Sequence, residues 1–393
     1  MTSKRPPTGY DYPSFEKRIE WINEKTGMSL NPKERWMEDD LQGIIENPIG
    51  YVKMPVALCG PLLIDGEFAK GEFIIPFSTV EGTLSISLSR GAYLCNLAGG
   101  VQVQYLKQEM PRTPVFFLPS LKDGKTFLHY IEQNFQKIKA VAESTTRYGK
   151  LLRIDPQLMG RKVLLDFIFS TADAAGQNMV TIATQTACEY IKEALQETIP
   201  VTFLIESNFS GDKNGCHRNM IKGRGHSATA TVRIPEKVVR KILRVDPITV
   251  LQGGEVAMLG SSMAGVLGHN LHAANALAGL YLATGQDVAC VAENAGAIFT
   301  GEAHQDGSYE ATITLPSITV GTVGGGTRLK DQNENLRILG CEGENGAKKF
   351  VEIIAASALA LEISLGLAIV KGDEFADAHQ KYGRKKVGEE EHE

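Results

Sequence analysis

The sequence predicts an α+β fold: a large α/β domain with a compact ferredoxin-like unit inserted in it. Three observations carry this prediction. Between residues 114 and 207, strand-like and helix-like segments follow the order β-α-β-β-α-β, the arrangement of a ferredoxin-like unit small enough to sit inside a host domain. On either side, extended stretches punctuated by proline alternate with helical stretches rich in Gly, Ala and Ser. A chain of 393 residues is also long enough to bury two cores.

Taken in order, residues 1–45 form an N-terminal segment whose apolar positions, from 14 onward, are spaced for short amphipathic helices. The large domain opens over 46–113. ENPIGYVKMPVALCGPLLIDG is a turn followed by extended segments, because Pro48, Pro55 and Pro61 forbid a long helix. FIIPFSTV is a strand, and Glu81-Gly82 is the turn into a helix from about Thr83 to Leu97. Within the insert, 114–207, PVFFLPS is a strand and TFLHYIEQNFQKIKAVAEST a helix. KLLRIDPQLMGRKVLLDFIFST is a hairpin, NMVTIATQTACEYIKEALQ a second helix, and VTFLIES the closing strand.

The large domain resumes over 208–371. ATATVRIPEKVVRKIL is a strand into a helix, with Pro235 suited to the first helical turn. EVAMLGSSMAGVLGHNLHAANALAGLYLATGQD is a small-residue stretch that lets packed helices approach closely, with Gly285 as a stop. YEATITLPSITVGTVGGGT is a pair of strands ending in a glycine loop, and residues 347–371 form the last strong helix. Residues 372–393 are a charged, mobile tail.

A net charge of −5, without a basic stripe, argues against nucleic acid as a partner. Six scattered cysteines with no CxxC pair favour reduced thiols in a cytoplasmic protein and imply no metal site. The apolar run from Ile353 to Val370 approaches membrane length, but Glu362, Ser364 and Gly366 interrupt it, so it reads as a buried helix. The N-terminus lacks the apolar core of a signal peptide, and the chain reads as soluble, with no membrane partner.

Several residues are candidates for chemistry, and each has a plainer reading. Lys213, beside Asp212 in a turn closed by Gly211 and Gly215, is a held ammonium or a solvated surface charge. Glu81, between strand and helix, is a buried general acid or a carboxylate complementing a helix dipole. Asp287 in TGQDVA is an acid or a cap on the next turn. His272 and Asn275 share a helix face, with a satisfied core histidine as the default. The loop VGTVGGGT resembles an anion-binding loop without being a Walker A, and DAAGQN is a turn before a helix whose N-terminus can bind phosphate.

In this order, ENPIGY, STVEG, RTPV, DAAGQNM, DK, GRGHS, HAANALAGLYLATGQD, LPSITVGTVGGGT, LEISL and AHQKYGR resemble the 3-hydroxy-3-methylglutaryl-CoA reductase family, from about Glu46 to Arg384. The resemblance implies that the large domain binds a CoA thioester and the insert a nicotinamide nucleotide. It also implies a homodimer or higher homo-oligomer with active sites at the subunit interface. The implied chemistry is a four-electron reduction of the thioester to an alcohol by two hydride transfers.

By that resemblance Lys213 stabilises the oxyanion, Glu81 donates a proton, Asp287 lies between them, and His379 protonates the departing CoA thiolate. The cofactor residues are Asp173, Gly176 and Asn178, then Gly324, Gly325 and Thr327. Arg147 matches the position that meets the 2′-phosphate, which favours NADPH over NADH. Substrate contacts fall on Arg112, Asp212, His272 and Asn275.

The acyl pocket departs from the family pattern. A second lysine after the catalytic one is Asn214, a lysine seventeen residues before His272 is Glu255, and a serine seven before Lys213 is Glu206. These changes turn positions suited to an anionic tail neutral or acidic. One alternative is therefore a reductase of a different acyl thioester with a neutral or cationic tail. Another is a CoA- or nucleotide-binding protein without catalysis, against which the set Glu81, Lys213 and Asp287 argues.

Overall fold

The computed structural model describes residues 7–30, 41–240, 245–372, 376–377 and 380. His379 and most of the tail 372–393 lie outside the described residues. The fold is mixed α/β, organised on one continuous sheet. Its strands are β1 (Val56–Asp65), β2 (Lys70–Ser78), β3 (Val101–Arg112), β4 (Val115–Phe117), β5 (Lys150–Met159), β6 (Lys162–Ser170), β7 (Thr202–Leu204), β8 (Gly225–Ile234), β9 (Ile298–Ala303) and β10 (Tyr309–Ile318). The principal helices are α1 (Tyr12–Thr26), α2 (Leu84–Leu97), α3 (Gly124–Gln133), α4 (Phe135–Glu143), α5 (Gln177–Ala194), α6 (Pro247–Ala264), α7 (Ala273–Thr284), α8 (Lys330–Ile338) and α9 (Gly346–Val370).

β3 joins the two halves of the sheet. Residues Gln102 to Glu109 pair antiparallel with β8, and Met110 to Arg112 pair antiparallel with β6. On one side β8 continues to β10 and β9, and β1 with β2 attaches at the start of β3. On the other side the order is β7-β4-β6-β5, every neighbour antiparallel. The sequence reading assigned no element to β3. Its VQVQ start alternates buried and exposed as a half-buried strand must, but the run is short and Pro111 follows it.

Two further expectations need correction. The helix expected over TFLHYIEQNFQKIKAVAEST is two helices, α3 and α4, broken at Asn134, whose side-chain amide bonds the Tyr130 carbonyl at 2.9 Å and competes with the helix ladder. The strand pair expected at the glycine loop is the single strand β10. Its antiparallel neighbour β9 lies earlier in the chain, in GAIFTGEA, which carries no strong alternation.

Apolar side chains form two separate clusters. One, including Phe116, Phe127, Phe167, Val180 and Ile191, packs under α3, α4 and α5. The other surrounds α9, which is buried from Phe350 to Ser364. α9 is long and apolar enough to cross a bilayer, yet it runs through the interior of the fold. Its two buried carboxylates are satisfied by backbone donors. Glu352 accepts from the N–H groups of Glu67, Phe68 and Ala69 at 2.6–3.1 Å, and Glu362 accepts from those of Leu271 and His272.

Candidate active site

Lys213 sits in a tight turn, closed by the Asn214 N–H bonding the Gly211 carbonyl at 3.3 Å. Its backbone is left-handed, with φ +56°, a conformation that costs a non-glycine residue about 1–2 kcal/mol. The offset comes from Glu293, whose buried carboxylate accepts the Lys213 backbone N–H. Glu293 also accepts from Thr319 Oγ1 and pairs with the buried Arg224 Nε at 3.0 Å. Arg224 in turn lies 3.0 Å from Asp212 Oδ1, and Asp212 Oδ2 lies 3.4 Å from Arg112. The loop is held by a chain of alternating charges.

The turn directs the Lys213 ammonium to Asp287, Nζ to Oδ2 3.0 Å. The plainer reading of Asp287, a cap on the next turn, is seen alongside this pair: its other oxygen accepts the Ala289 N–H at 3.1 Å at the start of a short helix. The hydrogen bond to Asp287 is the main reason the Lys213 pKa is raised, which favours the charged ammonium. Both side chains stay close to half exposed, so a carbonyl can reach the pair from solvent.

Glu81 departs from expectation. It is exposed, in the turn between β2 and α2, and no ion pair joins it to Lys213 or Asp287 among the described residues. Nor does it serve the helix dipole, since α2 starts at Leu84 with Thr83 as its cap residue. Among the described residues, nothing provides the burial expected of this carboxylate.

The nucleotide motifs are drawn together by backbone contacts. The Thr322 N–H bonds the Asp173 carbonyl at 2.8 Å, and Ala174 pairs with Val323 in a parallel bridge. Gly326 meets Gly285 so closely that a Cβ on it would lie 2.5 Å from the Gly285 carbonyl oxygen. Gln286, between Gly285 and Asp287, accepts the Gly321 N–H at 2.9 Å. The glycine loop therefore abuts the lysine site through residues 285–287.

Gly176 caps α5 at φ +80°, and a Cβ there would lie 2.3 Å from Thr171 Cγ2. No side chain caps α5, so its first N–H groups are free for an anion. Asn178, in the first turn, is exposed, as is Arg147. The Arg147 loop is anchored to the same turn, with Thr146 bonding the Tyr148 and Gly149 N–H groups and contacting Met179 Sδ.

Gly324 and Gly325, both at positive φ, have open space where a side chain would be, and Thr327 Oγ1 bonds the Gly324 carbonyl at 2.7 Å. Asp173 is spoken for. Its carboxylate accepts the Asn345 and Ala347 N–H groups at 3.1 and 2.9 Å, at the start of α9. It braces the loop with one backbone N–H on each oxygen.

His272 is a buried histidine at the start of α7, its Nδ1 3.1 Å from the Asn275 amide. Burial pushes its pKa down to about 4, and burial pushes that of Glu362, which accepts the His272 N–H, up to about 7. Arg112 is buried and bonds Glu206 at 2.6 Å. Asn214 is exposed and turns back onto the Asp212 carbonyl at 2.7 Å. Glu255 is exposed on α6 and is not brought to Lys213 by this chain. Sequence reasoning missed Glu293 and Arg224. What could have marked them was a charged residue in each of two otherwise small or apolar neighbourhoods, AENAG and GRGHS.

A family model for hydroxymethylglutaryl-coenzyme A reductase matches residues 14–384. A 3-hydroxy-3-methylglutaryl-coenzyme A reductase of Methanocaldococcus jannaschii is 41% identical over 376 residues, covering 94% of this chain and 92% of its own. The enzyme of the same name from Haloferax volcanii is 39% identical, with 94% and 92% covered. Among solved structures, the class II 3-hydroxy-3-methylglutaryl-CoA reductase of Streptococcus pneumoniae, bound to NADPH in open conformations, superposes with a TM-score of 0.67. It is 20% identical and covers 92% of this chain and 100% of its own, a likeness of fold.

Proposed function

The chain belongs to the hydroxymethylglutaryl-coenzyme A reductase family, and from that premise we propose that it reduces 3-hydroxy-3-methylglutaryl-CoA to mevalonate at the Lys213 site. The observation that carries the reading is the Lys213–Asp287 pair, 3.0 Å apart and abutting the glycine loop. A fixed ammonium at that place stabilises charge that builds on a carbonyl oxygen only as the carbonyl is reduced. Asp287 keeps the ammonium charged and aimed, and Glu293 holds its backbone. The same ammonium serves the thioester and then the aldehyde left once CoA departs. Glu81 is the proton donor in this reading, and His379 protonates the leaving thiolate.

The cofactor residues fit a nicotinamide dinucleotide. The free N–H groups of α5 and the open backbone of Gly324 and Gly325 suit a diphosphate, and Arg147 suits a 2′-phosphate, so NADPH is the assigned cofactor. Each molecule bound would supply one hydride, and the two reductions use two molecules in turn. Asp173, braced on the start of α9, stays among the residues assigned to the cofactor.

We assign the insert, 114–207, as a ferredoxin-like cofactor domain. Its strand order and its separate apolar cluster support that division. The remainder, 46–113 and 208–371, is then the CoA domain. The assigned assembly is a homodimer. Along α6, Val256, Leu259 and Met263 are 69%, 62% and 91% exposed, an apolar face that a second copy would cover. Glu81, apart from Lys213 in its own chain, is then supplied by the partner protomer. Six unpaired cysteines support the cytoplasm as its compartment.

Purified protein given 3-hydroxy-3-methylglutaryl-CoA should consume two NADPH for each mevalonate formed. Absence of NADPH oxidation with this thioester would sink the reading.

A further inference from the structure

The Arg112 end of the site contains a bound carboxylate of its own. Glu206 is seated there by four donors: Oε2 accepts from Arg112 Nη1 at 2.6 Å and Ser210 Oγ at 3.0 Å, and Oε1 from the Ser207 and Asn208 N–H groups at 3.0 and 2.8 Å. Three of those donors belong to the loop that carries Glu206, so the carboxylate is fixed in place before any ligand arrives. It sits as a bound anion would. Arg112 has its remaining Nη on Asp212 and is only 8% exposed, so the donor it keeps without a partner is its buried Nε, and both Nη groups face carboxylates already.

Formal charge points the same way. The connected cluster holds Arg112, Arg224 and Lys213 against Glu206, Asp212, Glu293 and Asp287, three cations and four carboxylates. Asn214 contributes an amide, already turned onto the Asp212 carbonyl. A second anionic tail entering this half-buried cluster finds, among the described residues, no cation in it that is not already paired, and it is repelled by the carboxylate seated on Arg112.

We propose that Glu206 is a specificity-determining residue: a tethered carboxylate that occupies Arg112 and biases the acyl pocket toward thioesters whose tail is uncharged. The proposal rests on Lys213 being the thioester site, and it deepens that reading by naming the tail chemistry. The amide or hydroxyl of an uncharged tail can share hydrogen bonds with Glu206, whereas the terminal carboxylate of 3-hydroxy-3-methylglutaryl-CoA has to bind beside it. The enzyme in this view reduces that thioester from a weakened complex.

The test is calorimetric binding of two probes, 3-hydroxy-3-methylglutaryl-CoA and its terminal amide, to the full chain and to Glu206→Ser and Glu206→Gln. The native protein should bind the amide more tightly. Both substitutions should shift the Kd ratio toward the carboxylate by at least about tenfold. Steady-state kinetics should show the same shift in KM rather than kcat. Thermal melts identify any variant that fails to fold, and Glu206→Gln keeps an acceptor for the two N–H groups as the safer of the pair. A ratio unchanged in a folded variant, or both probes moving alike, overturns the proposal. Binding is read without turnover, so failure of NADPH oxidation counts against the Lys213 reading alone.

Discussion

The lysine loop and the nucleotide loops meet across Gln286, yet different forces hold them. Around Lys213 the holding groups are side-chain charges, the series Glu206, Arg112, Asp212, Arg224 and Glu293. Around residues 173–178 and 320–327 they are mainly backbone contacts, a parallel bridge and Gly321 and Gly326 pressed against other main chain, with the Asp173 carboxylate and the Gln286 side chain adding one brace each. Charges can be re-partnered by a few substitutions, as Glu206 illustrates. Backbone packing tolerates almost none. On the roles proposed above, the half assigned to the hydride is the rigid half, and the half assigned to the acyl group is the adjustable one.

The largest effect that would test this contrast is on Lys213 itself. Lys213→Ala should lower kcat by roughly 10²–10³ or more, as loss of an oxyanion donor does, with thioester binding weakened far less. A variant that keeps near-native turnover would end the assignment of the ammonium. Next comes complementation. Lys213→Ala and Glu81→Gln, each inactive, should regain up to about a quarter of native turnover when unfolded and refolded as a mixture, because a mixed dimer pairs one intact Lys213 with one intact Glu81. Failure to regain activity from a demonstrably mixed dimer would put Glu81 elsewhere.

On the backbone-held side, Gly176→Ala forces φ +80° and the Thr171 contact on a side chain, costing on the order of 1–3 kcal/mol. A urea midpoint lowered to match, with weaker NADPH binding, is the expected result. An unchanged midpoint would mean that the loop is not as rigid as its contacts imply. Arg147→Ser, on an exposed and separately anchored loop, should do less to folding. It should cut the preference for NADPH over NADH by about tenfold, read as a ratio of kcat/KM values.

The smallest expected effect is a cancellation. Glu362, raised to about 7, binds a proton more readily in the folded state, so its contribution to stability is lost as pH rises from about 4.5 to 7. His272, lowered to about 4, binds one less readily, so its contribution is gained as pH rises from about 4 to 6.5. Urea melts of the native protein should therefore change little between pH 4.5 and 6.5. Those of Glu362→Gln should climb with pH, and a flat profile in that variant would refute the pairing.

Backbone-held features were the ones legible in the sequence. Gly285 as a helix stop, Gly176 before α5, the hairpin at Gly160 and the buried course of α9 all follow from local rules on φ and apolar runs. Where two local rules competed, the reading went astray. β3 was passed over because Pro111 masks its alternation, and α3 and α4 merged because the Asn134 break involves one side-chain hydrogen bond. The charge-held half was legible only as isolated letters. Asp212 and Lys213 stood out in a glycine-rich turn, whereas nothing local marked Glu293, eighty residues on, as the group that receives the Lys213 N–H.

By itself, then, the sequence determined most of the elements, the small-residue helices, the glycine loops and the family to which they belong, because periodicity and backbone restriction act over a few residues. Tertiary structure alone decided which charges meet. It put Asp287 on Lys213, Glu293 under it, Glu206 on Arg112 and Asp173 on the start of α9, and it left Glu81 exposed, with no ion pair to Lys213 or Asp287 among the described residues. Ion pairs and buried carboxylates depend on distance in space and on removal from water, and neither quantity is a function of separation along the chain.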